Sequence, residues 1–145
     1  MPSSRSTKDR RPPPDRQERL AGWFLLAVGG GVAGLWTVSL PGAFRQGPFT
    51  YAGTPEAGNI PAFHLAAEGG MAVASLTAGT ALLRGWPHRR EGALTASGML
   101  VYSSINSSGW LLRNQPPVTA VTAVTLAGSL GVIRCMLRGS DHPDR

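Results

Sequence analysis

LAGWFLLAVGGGVAGLWTVSL, residues 20–40, is the stretch whose reading decides the fold. It carries no charged side chain. As a helix rising about 1.5 Å per residue, a run of this length crosses a hydrocarbon core of ~30 Å. Working outward, three more apolar runs follow at residues 62–83, 92–112 and 118–137. Each is bounded by proline, glycine or arginine: Pro41-Gly42 after the first, Pro61 before the second, Arg84-Gly85-Trp86-Pro87 after it, and Pro116-Pro117 before the last. The pattern predicts an all-α integral membrane four-helix bundle spanning residues 20–138, with Trp86 in the head-group belt and Arg134 snorkelling at the end of the fourth span.

The flanks are of a different composition. Residues 1–19 hold Arg5, Lys8, Arg10, Arg11, Arg16 and Arg19 beside the run Pro12-Pro13-Pro14, and read as a disordered basic tail. Residues 139–145 read as a short polar tail. Arg10-Arg11 is similar to a twin-arginine export signal, but the long apolar span that follows fits a retained helix. Residues 41–61 are rich in proline and glycine and form the longest predicted connection, with Phe44, Phe49 and Tyr51 available to an interface.

Charge is sparse and unevenly placed. Charged residues make up 15% of the chain, yet the net charge is +6, a combination that reflects arginines flanking apolar spans. Nucleic-acid binding would need those cations gathered on a folded face with readers beside them, so no nucleic-acid partner is expected. Beside spans, they meet anionic lipid head groups and set orientation. Basic residues are dense in the N-terminal tail, in residues 84–91 and from Arg134 onward, whereas the other two connections hold only Arg45 and Arg113. Four crossings put the dense segments on one side. By the positive-inside rule that side is the cytoplasm, with both termini there, and residues 41–61 face outward from the cell membrane.

Cys135 is the sole cysteine, so no intramolecular disulfide can form, and a small buried apolar role is expected of it. Small residues recur at helical contact spacing: Gly30 with Gly34, then Ala66, Gly70, Ala74 and Ala78, then Ala123, Ala127 and Gly131. Such spacing serves close packing within a bundle and equally a homo-oligomer seam, and the sequence leaves both open.

Polar residues inside the apolar runs mark the candidate site. His64 and Glu68 are one helical turn apart on the second span. On the third, Ser103, Asn106, Trp110 and Arg113 follow helical spacing, with Tyr102 close to the same face. Because the second span descends as the third rises, Glu68 and Asn106 fall at similar depth, about six residues or ~9 Å inside the outer boundary. A carboxylate there costs about 2.5–3.5 kcal/mol on insertion scales unless it finds a partner or holds a proton. Two readings follow. Glu68 and Asn106 can lock helices together, or His64, Glu68, Tyr102, Asn106, Trp110 and Arg113 can line an outward pocket for a proton or the polar head of an apolar ligand. His64 and Glu68 supply only two metal ligands, and His88 and His142 lie on the opposite side, so no metal site is expected. No phosphate loop, nucleophile elbow or zinc-protease motif is present, and no intrinsic catalytic activity or resident cofactor is expected.

The order Ile60-Pro61, Leu65, Glu68, Gly79, Leu82-Leu83 and a basic turn resembles the DoxX-like group of small four-helix membrane proteins, over residues 60–101. That group often carries an acidic residue at the place of Glu68. Some of its members accompany quinone-linked oxidoreductases, so the resemblance implies a quinone-linked complex as one partner. The expectation is a structural or accessory membrane protein within such a complex. The alternative is a small proton-coupled transporter in which Glu68 titrates.

Overall fold

Asp15 opens the first helix. Its carboxylate accepts a hydrogen bond from the Glu18 backbone N–H at 2.7 Å, while the Glu18 carboxylate accepts one back from the Asp15 N–H at 3.4 Å. This reciprocal pair satisfies donors that a helix start otherwise leaves exposed. A computed structural model of the protein describes residues 13–45, 62–114 and 116–138, with side chains left aside at 39–45, 62–65 and 109–118. Within it the chain forms four α-helices: α1 Arg16–Arg45, α2 Ala62–Arg84, α3 Arg89–Asn114 and α4 Pro116–Arg138.

The helix bounds differ from those read in sequence at identifiable points. α1 begins at Arg16 rather than residue 20, so the last residues assigned to the basic tail are helical. It also runs through Pro41-Gly42 to Arg45. A proline removes one backbone bond from a helix without forcing the chain to leave it. α2 stops where expected: the N–H of Trp86 donates to the Ala81 carbonyl at 3.0 Å and that of Gly85 to Leu82 at 3.4 Å. Gly85 supplies the positive φ, 66°, that this C-terminal cap requires. α4 starts on Pro116-Pro117, where missing N–H groups cost nothing because first-turn donors have no partner in the helix. Residues 1–12, the connection over 46–61 and the tail 139–145 lie outside the described residues.

Neighbouring helices pack in chain order. α1 lies along α2, α2 along α3 and α3 along α4, whereas α1 and α4 touch only lightly. Glycine lets α1 and α2 approach: a Cβ on Gly79 would stand 2.7 Å from the Gly22 carbonyl oxygen, and one on Gly29 3.0 Å from that of Ala72. The core joins Ala21 and Leu25 of α1 to Met71, Ala78 and Leu82 of α2, Ala93, Ala96 and Leu100 of α3, and Val132 and Met136 of α4. It sits toward the end of the bundle where α1 starts and α4 finishes.

Polarity is distributed in an unusual direction. Buried positions include Ser75, Ser97, Ser104 and Ser129, while large apolar side chains point outward on every helix, among them Val38, Val73, Ile105 and Val124. Arg16–Val38 and Thr119–Arg138 are long and apolar enough to cross a membrane, and only 28% and 17% of their apolar windows is buried within the bundle.

Candidate functional site

Glu68 is half-buried on α2, and its carboxylate accepts a hydrogen bond from the indole N–H of Trp36 on α1. Trp36 is buried, so an acid inside an apolar run meets a donor held rigidly by the neighbouring helix. Antiparallel packing explains the meeting: α1 runs toward the end of the bundle at which α2 begins, bringing its C-terminal half beside the N-terminal half of α2. An intramolecular hydrogen bond contributes about 0.5–1.5 kcal/mol net, and leaving its buried donor without a partner costs about 1–3 kcal/mol.

Of the remaining residues of the predicted polar cluster, two can be placed. Tyr102 and Asn106, one turn apart on α3, are both exposed and share an outward face with Ile105. Ser104 is buried and Ser108 donates to the Ser104 carbonyl at 2.6 Å, as expected of packing hydroxyls. His64, Trp110 and Arg113 belong to helices α2 and α3, and their side chains lie outside the described residues. The structure therefore pairs Glu68 with Trp36, which in sequence is one residue of an apolar span. Among the described residues, no group of three or more His, Cys, Asp or Glu side chains comes together as a metal site.

A second polar centre lies at the other end of the bundle. Glu18, 2% exposed, accepts hydrogen bonds from Arg89 at 3.1 Å and Arg90 at 2.8 Å across the α1–α3 contact. The two guanidinium groups use different carboxylate oxygens, which satisfies the carboxylate on both sides. The available signal was Asp15-Arg16-Gln17-Glu18, an acid–x–x–acid spacing just before an apolar run. The Cys135 thiol donates to the Gln17 carboxamide oxygen at 3.4 Å, so the end of α4 also meets the start of α1. The α1 start, the α2–α3 turn and the α4 end, all rich in arginine, thus share one end of the bundle.

These features define an all-α four-helix protein with an apolar exterior and ionic contacts at one end. The chain belongs to the family described as a domain of unknown function, DUF8058, whose sequence model matches residues 15–140. That match begins at the residue that caps α1. No curated protein and no solved structure matches the chain.

Proposed function

We propose that the protein is a four-span membrane protein of structural or accessory role, with both ends of the described region on the cytoplasmic side. The outward apolar side chains on all four helices carry this reading. A water-soluble bundle hides such residues, whereas lipid accepts them. The gathering of Arg84, Arg89, Arg90, Arg134 and Arg138 at one end agrees with the positive-inside rule. Glu68 acts as an interhelical lock, because Trp36 holds its carboxylate as an acceptor between α1 and α2. The DoxX-like resemblance supplies the partner class, a quinone-linked membrane complex.

The test combines topology with partnership. Single cysteines placed at Ser3 and Thr54 in a Cys135→Ser background are labelled with a membrane-impermeant maleimide in intact cells. Labelling at position 54 alone is expected; labelling at position 3 would overturn the orientation, and extraction by carbonate would overturn the membrane reading. Gentle purification should then retain partner subunits in both the natural protein and Glu68→Gln. Vesicle transport by the isolated protein that disappears in Glu68→Gln would replace the accessory role with the proton-coupled carrier.

A further inference from the structure

We propose that the open seam between α1 and α4 binds one anionic phospholipid, its acyl chain on an apolar floor and its phosphate at Arg134 and Arg138. The seam is a groove of about 430 Å³. Its floor is Leu20, Ala21 and Phe24 of α1 with Gly128, Gly131 and Val132 of α4. Its mouth is Gln17, Arg134, Cys135 and Arg138. An apolar trough ending in cations has the amphiphilic order of a phospholipid, tail first and head last.

Three features of the seam fit that occupant. α1 and α4 are the least tightly joined neighbours in the ring of helices, and among the described residues they meet where Phe24 packs on Gly128, leaving a groove beside that contact. A Cβ on Gly131 would meet nothing within 4 Å among the described residues, which leaves the floor open there, whereas at Gly128 the Phe24 ring closes it. Arg134 and Arg138 are one turn apart on the same face of α4.

Charge selects the head group. Among the described residues no carboxylate pairs with Arg134 or Arg138, whereas Arg89 and Arg90 at the same end are both engaged by Glu18. The C-terminus of α4 contributes about −0.5 of a charge, which two guanidinium groups outweigh. Gln17 accepts from Cys135 through its carboxamide oxygen, leaving amide N–H groups that can donate to a phosphate. A long arginine stem can also cover the upper part of an acyl chain while its head stays at the interface.

This inference rests on the membrane reading above, and the experiment separates the two. The full chain is reconstituted into vesicles of phosphatidylcholine alone and of phosphatidylcholine with phosphatidylglycerol, and integration is scored by flotation after carbonate. Native mass spectrometry of gently solubilised protein then counts retained phosphatidylglycerol. One molecule per chain is expected, with retention about fivefold weaker for each of Arg134→Gln and Arg138→Gln, and unchanged for Arg16→Gln with Arg19→Gln. Gly131→Leu, which fills the floor without altering charge, should also expel the lipid. Cys135 alkylation should slow when phosphatidylglycerol is present and remain unchanged with inorganic phosphate.

Failure to float from either vesicle would overturn the membrane reading itself. Integration with equal retention of both lipids, or with losses equal for the groove and the Arg16/Arg19 variants, would overturn the groove while leaving that reading intact. Protection of Cys135 by inorganic phosphate alone would show a phosphate site without a lipid and would likewise overturn it.

Discussion

Of two carboxylates, Glu18 is buried and Glu68 half-buried, and their neighbours give them different consequences on mutation. Glu18 is compensated by two cations, and Arg89 is itself mostly covered, with its side chain 14% exposed. Removing the acid leaves that guanidinium in a low-dielectric site without a counter-charge, which costs more than the lost hydrogen bonds. Glu18→Gln should therefore lower stability by about 3 kcal/mol, read from thermal denaturation of the solubilised protein. Arg90→Gln should cost less, because its side chain is 34% exposed and water replaces part of what is lost. An equal or smaller loss in Glu18→Gln would mean that the ionic cluster is not shielded. For Glu68 the question is the donor. Trp36→Phe keeps an aromatic ring and deletes the N–H, and should cost about 1–3 kcal/mol in the same assay.

At the scale of the helix, contact is decided by which way small residues face. Gly79 presses on the backbone of α1, 2.7 Å from a Cβ to the Gly22 oxygen, and a backbone atom cannot swing aside. Gly79→Ala must therefore push α1 and α2 apart, at about 1–3 kcal/mol. Gly30 has nothing within 4 Å of a Cβ among the described residues, so Gly30→Ala should be neutral or stabilising by up to about 1 kcal/mol. Thermal denaturation of the pair in one detergent checks both, and equal losses would remove the seam from the account. The comparison also shows what spacing conveys. Gly30 with Gly34, Gly70 and Gly131 repeat at helical contact distance in sequence, yet each is open among the described residues, while Gly22, Gly29 and Gly79 form the contact. A sequence reveals that small residues share a face, but the partner helix chooses the face. Trp36 was obscured for the same reason, since its meeting with Glu68 depends on the register of two helices far apart in the chain. The start of α1 was different. Asp15 and Glu18 cap it in the structure, whereas the surrounding arginines and prolines give the segment the composition of a disordered tail.

For the whole molecule, the four apolar runs and their boundaries predict an all-α, four-helix chain because span length acts locally, although α1 continues through the Pro41-Gly42 boundary. Solvent is a different matter: an apolar run alone does not say whether protein or lipid covers it. The structure sharpens that question, since Val73 on α2 and Val124 on α4 are 63% and 68% exposed. The two environments respond oppositely to a charge at these positions. On a water-soluble bundle an exposed Val→Lys change falls within about 0.5 kcal/mol and reduces self-aggregation. In a span facing hydrocarbon, lysine costs about 2.5–3.5 kcal/mol near the helix centre, even with some relief from snorkelling. Val73→Lys and Val124→Lys should therefore lower the membrane-integrated fraction, measured by carbonate extraction and flotation. Gln17→Lys, at the arginine-rich end, should leave integration unchanged, because its side chain lies where head groups meet the positive cluster. Full integration of both valine variants, or improved solubility without detergent, would assign the apolar exterior to another protein surface instead of lipid.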